Sequence, residues 1–235
     1  MMLIKIIIQL WKHLQAIIEI AMKNIIIIGA NGLGKELAYH IGKINKIIDT
    51  YRIVGFVDDN PEIYGKEVIY GLKVIGTITD LLNDLIEVNT VFIAIANNQK
   101  RTHIYNQLKH KSIIFPNIID PSVDFDVSNT IGVGNFIAHH CLLTCNITIG
   151  NFNILNGSIG LGHDVSIGNF NLFGPRSTIA GNVVIGNENT INMQSSIIQN
   201  LKIGNRNTIN LHSCLFKSIK DDNVYFGVPA MRQKF

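Results

Sequence analysis

The chain has 235 residues, room for one large domain or two ordinary ones with buried cores. Charged residues make up 16% and the formal net charge is +3 with no basic run, which excludes a protein that tracks a nucleic-acid backbone. Cys141, Cys145 and Cys214 are odd in number and form no Cys-x-x-Cys pair, a pattern of the reducing cytoplasm and not of a disulfide framework.

Residues 1–21, MMLIKIIIQLWKHLQAIIEIA, carry Lys5, Lys12, His13 and Glu19 inside an apolar stretch, a heavy penalty for a spanning helix. Ile4, Ile7, Ile8, Trp11, Leu14 and Ile18 follow helical spacing, which fits an amphipathic helix on a membrane surface or a partner. The alternative is an extension from an upstream start that contributes little, since Met22-Lys23-Asn24 leads directly into a strand. No small-residue cleavage site follows, so a secretory signal is not expected.

From 22 to 112 strand and helix alternate: NIIIIG, then GKELAYHIGKI, RIVGFVDD, TDLLNDLI, TVFIAIAN and QKRTHIYNQLKH. The alternation predicts a Rossmann-like parallel sheet with crossover helices, the second helix capped by Thr79 or Asp80 and the third by Asn97 or Asn98. In IIIIGANGLGKE, Gly29, Gly32 and Gly34 form a turn between strand and helix whose N–H groups suit a phosphate. Their spacing is GxxGxG, not the GxGxxG of dinucleotide oxidoreductases. Asp58 and Asp59 end the second strand, where a carboxylate accepts hydrogen bonds from sugar hydroxyls, and Asn97 and Asn98 end the third at the same sheet edge. The alternative is that these residues are caps and turns only.

From 113 to 235 the period changes. Every sixth residue from Ile119 to Leu215 is Ile, Leu or Phe, a run that a 47% apolar chain produces by chance on the order of once in a million. A period of six predicts a parallel β-helix of hexapeptides, three to a triangular coil, with the periodic residue pointing inward. The phrase Ile-Gly-Asn recurs at 149, 167, 185 and 203 and marks one corner, where asparagine tolerates left-handed backbone angles. Asn153, Asn171, Asn189 and Asn207 predict a ladder of stacked amides. The phase fails at Asp221 and Asp222, where the prism is expected to end, with NVYFGVPAM folding back over the last coil.

His163 falls at a corner and points outward, with Asp164 beside it. A carboxylate next to an imidazole fixes its tautomer and raises its basicity, as a general base requires, but adjacent residues meet only if the corner breaks the strand geometry. His139, His140 and His212 lack such a companion and read as structural. Zinc hydration chemistry on such a prism needs a further histidine a few residues on, and DVSIGNFNLFG holds none, so no metal is expected.

GANGLGKE, GFVDDNP and FIAIANNQKR, followed by GHDVSIGNF, IAGNVVIG and FGVPA in that order, resemble the bacterial NeuD/PglD family of sugar acetyltransferases, over nearly everything from Met22 onward. The resemblance implies a left-handed β-helix, a homotrimer, acetyl-CoA in the cleft between neighbouring prisms and a sugar nucleotide on the N-terminal domain. By position it puts the general base on His163 and the acid that supports it on Asp164. The substrate loop falls on Asn31, Gly32 and Leu33, the acidic pair on Asp58 and Asp59, and coenzyme contacts near Gly181, Met193 and Leu211. Leu172 stands where some members carry a second histidine against the coenzyme, and TINMQS and TINLHS are bulkier than the small stretches common along that channel. The implied function is acetyl-CoA-dependent N-acetylation of a nucleotide-linked 4-amino-4,6-dideoxy sugar for bacterial surface glycans, with the Gly181 N–H at the oxyanion. The alternatives are O-acetylation of a sialic acid and a non-catalytic sugar-nucleotide-binding protein.

Overall fold

The computed structural model describes residues 22–233; the amphipathic segment expected before Met22 lies outside them. In the first domain, strands β1 (Lys23–Ile28), β2 (Tyr51–Val57), β3 (Glu67–Ile69), β4 (Leu72–Gly76) and β5 (Val91–Ile93) form one sheet in the order β3-β4-β2-β1-β5. All pairs are parallel except β3 with β4, a hairpin that the expected simple alternation does not contain. Ile25 to Ile28 are completely buried, which is why that strand reads as an unbroken apolar run.

Helices α1 (Gly32–Asn45), α2 (Ile78–Leu82) and α3 (Asn98–Leu108) connect the strands. The cap of α2 is Thr77, two residues before the first expected candidate, in a capping box with Asp80. Asn97 caps α3 through a hydrogen bond from the Lys100 N–H. Gly34 is fixed by packing: a Cβ there would lie 2.0 Å from the Gly29 carbonyl oxygen, so α1 starts as close to β1 as backbone allows.

Beyond Pro116 the chain winds into a left-handed parallel β-helix. Its two-residue strands stack with partners eighteen residues apart, as Thr148 pairs with Ser166. The first face runs from Thr130–Ile131 to Lys202–Ile203. The second runs from Ile118–Ile119 to Thr208–Ile209 and the third from Leu142–Leu143 to Cys214–Leu215. The periodic Ile, Leu and Phe from 137 to 215 point inward and are buried as expected. A second inward column lies two residues before them, and its chemistry changes with the face: Ile147, Val165 and Val183 on the first, Asn153, Asn171 and Asn189 on the second, and on the third Cys141 and Ile159 followed by Ser177, Ser195 and Ser213.

The asparagine column is the expected ladder: Asn171 Nδ2 donates to Asn153 Oδ1 at 3.0 Å, each residue bonding to the preceding coil. A second ladder runs the other way along the Ile-Gly-Asn phrase, with Asn151 donating to Asn169 and Asn169 to Asn187. The opposed directions set the two rows of amide dipoles antiparallel. The left-handed corner positions are not those asparagines but the residues after them, Phe152, Phe170, Glu188 and Arg206, with φ between 55° and 58°. Asparagine stands before the corner because its amide bridges coils.

The prism does not end at Asp221. The last coil shortens, Asp221 accepts hydrogen bonds from Asn205 and terminates the ladder, and Val224–Phe226 still pairs with the second face before Met231–Arg232 folds back antiparallel.

The first domain sits on the second face, where the outward residues Phe136, Ile154 and Leu172 join the cluster of Ile25, Leu37 and Phe92. Arg101, 1% exposed, binds this junction together. It donates to the carbonyls of Ile95, Ala96, Phe152, Phe170 and Asn171 and to Asn98 Oδ1. Burial, opposed by the charge of Glu188, pulls its guanidinium down to about 9, so it is still charged at neutral pH.

Candidate active site

His163 lies on the edge between the third and first faces, in the corner Gly162-His163-Asp164-Val165. Asp164 has φ 60°, and this left-handed angle turns its side chain back toward its neighbour: Asp164 Oδ2 lies 2.7 Å from His163 Nδ1. The corner geometry that the pairing requires is present. The Asn146 amide, one coil earlier, donates to Asp164 Oδ1. Hydrogen bonds from His163 first and Asn146 second hold the Asp164 carboxyl below its ordinary range, so it is ionised at neutral pH and accepts a hydrogen bond from Nδ1–H. His163 Nε2 is left as the acceptor.

Cys145, His163 and Gly181 follow one another at intervals of eighteen residues along this edge. A Cβ on Gly181 would lie 2.6 Å from His163 Nε2, so the glycine is what lets the imidazole lie flat against the next coil. The pair is open to solvent, with side chains 58% and 42% exposed.

The other expected residues gather around the junction, in three clefts. In the first, of about 560 Å³, Asn31, Asp58 and Asp59 line the wall with Lys100 and His103. Both carboxylates also hold backbone: Asp58 Oδ2 accepts from the Ala30 N–H at 2.9 Å and Asp59 Oδ1 from the Ile78 N–H at 2.8 Å. In the second, of about 790 Å³, Gly32 and Leu33 face Leu172 and Met193 across the domain boundary. The glycine-rich turn is therefore the rim between two clefts, and Asn31 makes no side-chain cap to α1. Asn97 lies with Leu172 in the third, of about 410 Å³, its side chain occupied as a cap. Asn98, at the same cleft, is 8% exposed, and its amide donates to the carbonyls of Glu188 and Asn189 across the junction.

Met193 and Leu211 are half exposed on the edge between the second and third faces. His163, Asp164 and Gly181 stand together on the opposite edge of the third face, so they are not brought to Met193, Leu211 or the residues expected against the sugar within one chain.

Several residues at the second cleft had no signal in the sequence. His40 of α1 and Asp120 of the first coil form a buried pair at 2.6 Å, with Lys43 2.5 Å from the same carboxylate oxygen. His139, expected to be structural, stacks on His40 and lines the cleft. Pairing between residues 80 apart follows from the docking of two domains, which no local pattern records.

The family model described as the PglD N-terminal domain matches residues 24–108. No curated protein sequence matches the chain significantly. Among solved structures, the acetyltransferase domain of PglB from Neisseria gonorrhoeae FA1090, in complex with acetyl coenzyme A, is 26% identical with a TM-score of 0.82, over 91% of this chain and 100% of that one. A histidine-to-asparagine mutant of perosamine N-acetyltransferase from Caulobacter crescentus, in complex with CoA and GDP-perosamine, is 22% identical with a TM-score of 0.82, over 92% and 99%. WeeI from Acinetobacter baumannii AYE is 22% identical with a TM-score of 0.71, over 90% and 100%. The last two show a common fold. Its N-terminal domain thus matches the PglD N-terminal domain family, and nearly its whole described length is similar to the PglB acetyltransferase domain.

Proposed function

We propose that the chain transfers the acetyl group of acetyl-CoA to the amine of a nucleotide-linked amino sugar, with His163 as general base. The observation that carries this reading is the His163–Asp164 pair, an imidazole whose Nδ1 faces a carboxylate at 2.7 Å and whose side chain is open to solvent. As the amine attacks the thioester carbonyl, its proton passes to Nε2 and the thiolate leaves; Asp164 stabilises the imidazolium that forms. The Gly181 N–H, which donates to no group among the described residues, lies beside the imidazole and suits the developing oxyanion.

The first cleft suits the nucleoside. Its Asp58 and Asp59 stand at the ends of the strands, and the uncapped start of α1 lies at its rim for the diphosphate. The second cleft then takes the hexose. Met193 and Leu211 offer an exposed apolar strip for the coenzyme's pantetheine arm, with the half-buried Leu172 at the neighbouring cleft. Because His163 and that strip lie on opposite edges of the third face, the reading requires a second copy of the chain to bring them together, as a trimer of prisms does.

The test is release of free thiol from acetyl-CoA with a panel of UDP-, dTDP- and GDP-linked 4-amino-4,6-dideoxyhexoses and with sialic acid. Release with an amino-sugar nucleotide is expected. Tight nucleotide-sugar binding with no release from any acceptor would remove the catalytic reading, and release with sialic acid alone would move the acceptor from nitrogen to oxygen. Sedimentation at working concentration checks the assembly, where a monomer leaves the site incomplete.

A further inference from the structure

The His40–Asp120 pair is not used by the mechanism above, and its geometry gives it a task. His40 is 3% exposed, on the third turn of α1, with its ring edge-on to Phe136 at 5.1 Å and stacked on His139 at 5.5 Å, so its plane is fixed. Its Nδ1 faces Asp120 Oδ2 at 2.6 Å. Asp120, completely buried, also accepts from Lys43 Nζ, from the Ser122 N–H at 2.9 Å and from Ser122 Oγ at 2.7 Å. Burial works against its charge, but hydrogen bonds from Lys43, Ser122 and His40 outweigh it and hold the carboxyl well below the usual range. For His40, burial disfavours the imidazolium more than Asp120 favours it, and the ring stays neutral.

An ionised acid facing Nδ1 keeps the ring proton there, which leaves a lone pair on Nε2. That nitrogen has no hydrogen-bond partner among the described residues, yet His40 forms part of the wall of the second cleft between Gly32, Leu33 and Asn156. Nε2 is not among the sealed, unpartnered polar atoms of the described residues, so a lone pair whose ring plane is fixed at a cleft wall is open to a donor on a ligand. A phosphate offers only oxygens and is repelled by a lone pair. Of the parts of a nucleotide sugar, the hexose carries O–H and N–H donors at that end.

We infer that His40 is a specificity-determining residue, accepting through Nε2 a hydrogen bond from a hydroxyl or amine of the hexose, with Asp120 as the positioning residue that fixes its tautomer. The inference rests on the nucleotide-sugar reading above. It differs from the role of His163: His40 reads the acceptor and takes no proton.

Calorimetric titration of the full chain, wild type and His40→Phe, with UDP, dTDP and GDP and with each nucleotide carrying a 4-amino-4,6-dideoxyhexose tests it. The phenyl ring keeps the contacts with Phe136 and His139 but has no acceptor. Affinity for the sugar nucleotide is expected to fall about threefold to tenfold, the worth of one hydrogen bond, with the free nucleotide within about twofold of wild type. His40→Gln, which restores an acceptor, should recover part of the loss. Equal losses for both ligands, or none, would overturn the assignment. A wild type that binds no sugar nucleotide removes the reading beneath it as well, so the wild-type titration tells the two failures apart. Should the variant fail to fold, wild type titrated with sugar nucleotides lacking one hexose hydroxyl or amine at a time decides the same question: one position must cost the same factor, and indifference to all of them would overturn it.

Discussion

Two histidine–aspartate pairs of nearly equal length occupy opposite surroundings in this chain. His163 and Asp164 are neighbours in sequence, 2.7 Å apart, on an open edge of the prism. His40 and Asp120 are 80 residues apart, separated by 2.6 Å, and sealed where the two domains meet. In the open pair the imidazole can approach a substrate held by another molecule and return its proton to water, as a general base must. In the buried pair Lys43 and Ser122 lock the carboxylate, and a neutral ring with a fixed lone pair is suited to recognition. On the proposed reading, the same hydrogen bond serves proton transfer or selection according to its burial.

The sharpest way to break this contrast is His163→Ala. Turnover should fall about 10² to 10⁴-fold with an unchanged thermal melt, since the side chain is more than half exposed. Near wild-type turnover would remove His163 from the chemistry. Next in size is Arg101→Leu, which probes the junction that encloses the buried pair. It strips the donors from five backbone carbonyls and should cost about 3 kcal/mol, read as a lower urea midpoint. Gly181→Ala places a methyl 2.6 Å from the present position of His163 Nε2. The displaced imidazole should lower turnover about 10 to 100-fold, with the melting temperature nearly unchanged.

The open pair was legible in the sequence and the buried one was not. A period of six sets every corner, so His163 could be put outward and Asp164 beside it from spacing alone. The second inward column stayed hidden because its residues are Val or Ile on one face, Asn on another and Cys, Ile or Ser on the third, and no single apolar rule describes them. The hairpin of β3 and β4 was missed because EVIYGLKVI is too short to show alternation. Asn97 was legible as a cap from its place after a strand. Asn98, next to it, was not legible, because its hydrogen bonds are to residues 90 and 91 positions away across the junction. Local chemistry is written locally, and what two domains do to each other is not.

A crossed pair of substitutions gives the smallest and most discriminating effects. Asp164→Asn keeps an oxygen to accept the Nδ1–H of His163 but loses the charge that stabilises the imidazolium. Turnover should fall about tenfold, with little change in stability because both side chains are exposed. Asp120→Asn keeps the volume at the junction but leaves Lys43 without its counter-charge and one of the donors around Oδ2 without an acceptor. It should cost about 2 kcal/mol of stability in urea unfolding. Its effect on acetyl transfer should lie in the apparent KM for the sugar nucleotide, with kcat within about twofold, because no proton passes through that pair. If the two variants exchange these signatures, the buried pair is the one that moves the proton, and the division of labour between the two sites is reversed.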